Sequence, residues 1–275
     1  MIDPALLFAP VPVSTPVLVL CVLVVFGAYL VFGVSGFGAS LMTIPVLSQV
    51  LPLGLLLSLA VVLDLSAAAL LAMRGGAPVP RARDGDAGSG VATVARAEVW
   101  RLGAGAVLGA GVGVTLLVGL PVAAAMFALG VFLLAYGLWS WRSRIPDTPI
   151  AARWGPAFGF GGGLLGALFG IGGPPYVIYL TRRIVERDRL RATIGTVVLA
   201  SLLIRFVAFA IAGVLLQPGL ASMLALLLPA CAAAVLVGQR IGDRLSRRHL
   251  LRAIALLLAA SGAALVVRAW PQLGG

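Results

Sequence analysis

The stretch Gly159-Phe-Gly-Gly-Gly-Leu-Leu-Gly-Ala-Leu-Phe-Gly-Ile-Gly-Gly-Pro-Pro175 carries no charge, is dense in glycine, and closes on two prolines inside an apolar run. Pro174 lacks an amide hydrogen and Pro175 disfavours helical geometry in the residue before it, so a helix must break or restart there. A fainter copy lies upstream, Gly33-Val-Ser-Gly-Phe-Gly-Ala-Ser-Leu-Met-Thr-Ile-Pro45. Gly36 and Gly38 fall on Gly170 and Gly172 at an offset of 134 residues (170 − 36 = 134), and Gly27, Ile44 and Leu56 fall on Gly161, Ile178 and Leu190 at the same offset. Both tracts sit between segments too apolar for water. In lipid, broken backbone is tolerated only where protein buries it or where it lines a cavity. Interrupted segments at corresponding places in two halves of a chain point to a transporter's binding site.

Composition agrees with a lipid solvent. Of 275 residues, 61% are hydrophobic and 11% charged, against roughly 25% charged in soluble domains; the mean hydropathy is +1.12. The net charge of +11 arises from 20 basic residues, all arginine, against 9 acidic ones. Those arginines punctuate apolar segments and form no continuous face, which argues against nucleic acid as a partner and for the positive-inside bias of a membrane protein. Met1-Ile-Asp-Pro-Ala has no basic n-region, so no cleaved signal peptide is expected. Cys21 and Cys231 lie in separate apolar runs without a CxxC spacing and read as small buried hydrophobes.

Apolar segments run over residues 17–32, 39–51, 53–73, 99–120, 122–141, 155–169, 171–180, 192–216, 220–238 and 250–267. Four arginine-bearing connections separate them, at residues 74–101, 142–153, 182–191 and 239–252, while the connections at Pro52, Pro121 and Gln217-Pro218 are uncharged. If all four basic connections are cytoplasmic, each half has five membrane elements. An odd count inverts the second copy. The expected fold is therefore an all-α polytopic membrane protein with two inverted-topology repeats, 1–141 and 154–275, around a cytoplasmic linker, 142–153. Each repeat would contain a broken or re-entrant glycine-rich hairpin, and both termini would be periplasmic, in the inner membrane. Merging each hairpin into one long helix gives instead eight spans and parallel repeats, with some arginine loops on the wrong side.

Most glycines have a packing use: Gly105, Gly109 and Gly113 recur every four residues, as do Gly162, Gly166 and Gly170, and small residues at this spacing let membrane helices approach closely. The break at Gly170–Pro174 differs, because a restarting helix presents unsatisfied N–H groups to an anion. Two charges fall inside predicted spans, Asp64 and Arg205. A central charge costs at least about 2.5–3.5 kcal/mol on the insertion scale and faces a cavity or a partner. One reading is a structural Asp64–Arg205 ion pair. In the other, Arg205 is the countercharge of an anionic substrate and Asp64 a proton-coupling or gating group. Ser35, Ser40, Thr43, Thr193, Thr196 and Ser201 could add hydroxyl donors, although such hydroxyls often bond a helical carbonyl.

Gly161-Gly-Gly163-Leu-Leu-Gly166 imitates a dinucleotide fingerprint, but no strand of a βαβ unit precedes it. The chain has no lysine for a Walker A loop. His249, the single histidine, sits in a basic loop. No metal site, cofactor or hydrolase constellation can be assembled, so an intramembrane enzyme and a non-transporting membrane scaffold are the alternatives to a transporter. The enzyme would need a nucleophile–base pair; the scaffold would have a dry, collapsed space between the breaks.

Gly36, Gly38 and Pro45 in the first half, and Gly170-Ile-Gly-Gly-Pro-Pro175 with Arg191-Ala-Thr193 and Arg205 in the second, resemble the TauE/SafE family of sulfite-exporter-like permeases. The resemblance covers nearly the whole chain, which departs from the family's glycine-rich first motif at Phe37, Ala39 and Ser40. It implies movement of small anions such as sulfite, or of organosulfonates such as sulfoacetate. The expected substrate site comprises Gly36, Phe37, Gly38, Ser40, Gly170, Ile171, Gly172, Gly173, Pro174 and Arg205, with Asp64 in coupling or gating. The expected partners are a small inorganic or organic anion and the lipid bilayer, with proton or ion coupling and a homo-oligomer both compatible.

Overall fold

The computed structural model describes residues 14–35, 38–73, 94–142, 148–241, 256 and 259–270. Expectations for Gly36, Phe37 and His249, and for much of the basic loops, fall outside them. Among the described residues every regular element is helical: α1 (Thr15–Ser35), α2 (Ala39–Leu47), α3 (Leu53–Met73), α4 (Arg96–Gly119), α5 (Val122–Arg142), α6 (Gly155–Phe169), α7 (Gly173–Thr181), α8 (Arg187–Ile211), α9 (Leu220–Ile241) and α10 (Ala259–Trp270). A short 3₁₀ turn, Ala152–Trp154, leads into α6. Among the described residues, five helices are long and apolar enough to cross a membrane: Thr15–Val34, Leu53–Leu71, Arg96–Gly119, Ala192–Ile211 and Leu220–Ile241. By contrast, α2 and α7 have nine residues each, about 14 Å at 1.5 Å per residue, far short of a ~30 Å hydrocarbon core.

The breaks have local causes. Gly170 takes a left-handed φ of 69° at the end of α6, and its N–H and that of Ile171 donate to the Gly166 and Leu165 carbonyls at 2.9 and 3.2 Å. That pattern closes a helix on a residue only glycine fills without strain. Pro174 and Pro175 then occupy the first turn of α7, where a missing amide hydrogen breaks no hydrogen bond. Gly38, at a φ of 93°, caps α2. The expected span 192–216 is displaced: α8 starts at Arg187, within the expected linker, and ends at Ile211 ahead of left-handed Gly213. Charged residues carry the helix beyond its apolar part.

Helix ends repeat with the sequence. Between the halves, α1 and α6 end, α2 and α7 begin and end, and α3 and α8 begin at the 134-residue offset found in the glycine tracts (173 − 39 = 134). Packing repeats as well. Exchanging α1 with α6, α2 with α7, α3 with α8 and α4 with α9 turns the principal helix contacts into one another: α1 on α9 becomes α6 on α4, and α3 on α9 becomes α8 on α4. The equivalent helices α3 and α8 also pack on each other. Asp64 meets Arg205, Ser58 reaches the Val214 carbonyl just beyond α8 at 2.8 Å, and Gly54 lies against Gln217. Contacts that step backward along one segment as they step forward along the other make α3 and α8 antiparallel.

Glycine sets the closest approaches. On α4, Gly105, Gly109 and Gly113 abut Pro156, Phe160, Leu164 and Ala167 of α6 in ascending order, so these two helices run parallel. In return α6 presents Gly159 and Gly163 to Leu102 and Ala106. Gly162, Gly166 and Gly170 mark close approaches too, but not to α4. Gly162 lies under the Tyr176 ring and Gly166 beside Gly172, both within the α6–α7 unit, and Gly170 faces Ile44 and Arg205. The difference is one of helix register, which a helix apolar on every side does not reveal.

Candidate functional site

Asp64, near the middle of α3, is 5% exposed, and Arg205 on α8 is 4% exposed. Arg205 Nη2 donates to Asp64 Oδ2 at 3.1 Å. The same oxygen accepts from Ser40 Oγ on α2, and Tyr29 on α1 donates its hydroxyl to Asp64 Oδ1 at 2.8 Å. The carboxylate is thereby held from three other helices. Arg205 Nη1 donates to the Gly166 carbonyl of α6 at 3.3 Å. Arg205 Nε is buried and has no partner among the described residues. An unpaired buried donor on a charged group is expensive, so this guanidinium has unused capacity at its own interior edge.

The second glycine break lies directly against this pair. A Cβ on Gly170 would stand 3.2 Å from Arg205 Nη1 and 3.6 Å from Ser40 Cβ, and would run into the Ile44 methyl group. Thus Ser40, Asp64, Gly170 and Arg205, four residues singled out from sequence, come together. Gly38 caps α2, and a Cβ there would stand 3.7 Å from the Leu41 side chain. Ile171 and Pro174 are buried in the turn. Gly172 packs on the Gly162 carbonyl, whereas the Cβ direction of Gly173 is open. Nearby, the Tyr176 and Ser201 hydroxyls are 3.0 Å apart.

Other hydroxyls serve their own helices. Thr43 and Thr196 donate to the Ala39 and Ala192 carbonyls at 3.0 and 2.9 Å. Thr193 donates to the Arg189 carbonyl at 2.7 Å and accepts the Ala95 amide at 3.1 Å. Ser40 with Asp64 has the form of the nucleophile–base pair an enzymatic reading requires. The Asp64 oxygen that accepts from Ser40 is, however, the same one that accepts from Arg205, so the serine belongs to the ion-pair network.

Sequence reasoning missed a second polar cluster. Glu98, buried in the first turns of α4, accepts from Arg101 Nη1 at 2.8 Å, from Arg183 Nη2 and Nε at 2.9 and 3.3 Å, and from the Tyr179 hydroxyl at 2.6 Å. The hydrogen bond to Glu98 raises the Arg183 guanidinium above its ordinary pKa. The i, i+3 spacing of Glu98 and Arg101 was the one local signal. Tyr29 and Tyr176 were missed as well; each is a phenol flanked by apolar residues in its helix. Between α4 and α8 lies an apolar cavity of about 600 Å³, walled by Val107, Val114, Leu203 and Val207 among others, with no charged side chain in its lining.

The family model described as Sulfite exporter TauE/SafE matches residues 21–265. No curated protein and no solved structure matches the chain. The match spans both glycine breaks, the Asp64–Arg205 pair and all five long apolar helices save the first few residues of α1, and it identifies this multi-pass membrane protein as a member of the sulfite exporter TauE/SafE family of membrane transporters.

Proposed function

We propose that the chain is a permease for a small oxyanion, sulfite or an organosulfonate, which binds between the two glycine breaks with Arg205 as its countercharge. The observation that carries the reading is the buried Arg205 guanidinium, in contact range of the Gly170 break and with its Nε unpartnered among the described residues. Helix ends there supply only about 0.3–2 kcal/mol each, a weak counterweight to desolvating an anion. A guanidinium adds a full charge and a planar fork suited to an oxyanion. Gly38, Ser40, Ile171, Gly172, Gly173 and Pro174 would line the site, with Gly36 and Phe37 completing the first break.

The domain reading belongs to the same proposal: residues 1–141 and 154–275 are inverted repeats about the cytoplasmic linker 142–153, in the inner membrane with periplasmic termini. The opposed directions of the equivalent helices α3 and α8 support that count over eight spans in parallel repeats. The shortness of α2 and α7 and the contacts of Gly162 with Tyr176 support re-entrant hairpins.

Proteoliposomes carrying the full chain test the anion reading, with sulfite, sulfoacetate and methanesulfonate as probes and chloride as control. Uptake above protein-free vesicles that falls with Arg205→Ala supports it; unchanged uptake refutes the role of Arg205. A second reading, a purely structural ion pair, is favoured by the Asp64–Arg205 bridge itself. It requires that Arg205→Ala with Asp64→Ala restore the flux lost in either single variant.

A further inference from the structure

We infer that anion binding at Arg205 is coupled to protonation of Asp64, so that the permease moves one proton with each anion in the same direction. This rests on the anion reading above and follows from charge balance. Among the described residues the buried charged side chains are Asp64, Glu98 and Arg205. Glu98 is engaged with Arg101 and Arg183, which leaves one buried cation and one buried anion at the glycine break. The groups facing Asp64 are Tyr29 from α1, Ser40 from α2 and Arg205 from α8, and Cys231 from α9 lies beside it with its thiol 3.9 Å from the Leu63 carbonyl. None of them brings a second positive charge.

An oxyanion reaching Arg205 while Asp64 is ionised would put two negative charges on one guanidinium in a dry interior, and like charges sharing such a site cannot both stay ionised. The geometry offers a way out. Asp64 holds Nη2, while the neighbouring Nε on the same edge has no partner among the described residues. That edge is one bidentate fork for an oxyanion, and the carboxylate holds one of its two nitrogens. When Asp64 takes a proton, its carboxylic acid remains satisfied, because the Tyr29 and Ser40 hydroxyls can each donate or accept. The Nε–Nη2 fork then passes to the anion. On release at the other face, Asp64 returns its proton as it rebinds Arg205. One proton and one anion have moved, and no bond other than O–H has formed or broken.

The test uses full-length protein in proteoliposomes with the potential clamped at zero by potassium and valinomycin. An imposed gradient of one pH unit, alkaline inside, should accumulate methanesulfonate about tenfold, the ratio that one proton per anion sets. Sulfoacetate and sulfite are run beside it, and sulfite, itself a weak acid, is read against protein-free vesicles. Uptake of none of the three overturns the anion reading itself. Uptake that equilibrates without accumulating leaves that reading standing and overturns the coupling. Asp64→Asn, which has no titrating proton, should not accumulate; persistent accumulation would place the proton elsewhere and defeat the assignment. Should Asp64→Asn stop flux outright, the deciding readout is proton uptake from weakly buffered detergent solution when a transported probe is added to the unmodified protein. About one proton per bound anion supports the coupling, and none overturns it.

Discussion

Asp64 and Arg205, 141 residues apart in the chain, meet at 3.1 Å through Oδ2 and Nη2 and tie one helix of each half to the other. The contact serves two ends. It neutralises two charges that would otherwise burden the membrane interior, and it holds the guanidinium beside the Gly170 break. A buried pair is weak evidence for stability in itself, because desolvation offsets much of the attraction. Its position at the meeting of α2, α3, α6 and α8 is the more informative fact.

Arg205→Ala should reduce anion uptake roughly ten- to hundredfold, since a hydrogen bond to a charged group contributes about 1.5–3 kcal/mol. Arg205→Lys keeps the charge but loses the fork, so it should fall between the parent and Arg205→Ala. Initial uptake rates at equal protein incorporation measure both. Equal rates for all three proteins would remove Arg205 from the binding site.

Two glycines on α4 should respond in opposite senses. Gly109→Ala drives a methyl group into the Phe160 backbone of α6 and should destabilise by about 1–3 kcal/mol through overpacking. Gly103, with open space at its Cβ position, should gain up to about 1 kcal/mol on replacement by alanine from helix propensity alone. Thermal unfolding in detergent gives the comparison, and a Gly109→Ala protein as stable as the parent would contradict the tight α4–α6 contact.

Glu98→Gln should loosen the join between α4 and the end of α7. It leaves Arg183 and the Tyr179 hydroxyl with a neutral partner in place of a carboxylate. Arg183 and Arg101 are partly exposed, so screening by solvent limits the loss to about 1–2 kcal/mol. The melting temperature of the parent should also fall more than that of Glu98→Gln when salt is raised, and parallel salt responses would argue that the cluster contributes little.

Single cysteines at Ser89 and Gln217, introduced after removing Cys21 and Cys231, should react with an impermeant reagent from opposite faces of the membrane. Labelling of both from one face would sink the inverted arrangement.

The glycine breaks, the 134-residue spacing and the two intramembrane charges were all legible because each violates what lipid permits: glycine and proline interrupt helices, and charges need partners. The partners themselves were not legible. Tyr29 and Tyr176 read as ordinary large side chains until the fold sets their hydroxyls against Asp64 and Ser201. Glu98 read as part of a polar loop, because the arginine that contributes most to holding it, Arg183, lies 85 residues away. On helices apolar all round, composition assigns a residue to the membrane but not to a face, which is why Gly159 and Gly163, and not Gly162 and Gly166, meet α4.

The near-exchangeable packing of the two halves stops at their charges. At the 134-residue spacing Asp64 corresponds to Val198 and Arg205 to Leu71. Two first halves paired in the same manner would therefore confront the bilayer with a pair of orphan carboxylates, and two second halves with a pair of orphan guanidiniums. Only the mixed pairing is neutral. Joining the halves in one polypeptide fixes their ratio at one to one, so electroneutrality of the interior is secured by covalent connection, before any folding choice is made. Severing the chain within residues 143–147 and supplying the halves separately should make each unstable alone and both recoverable together.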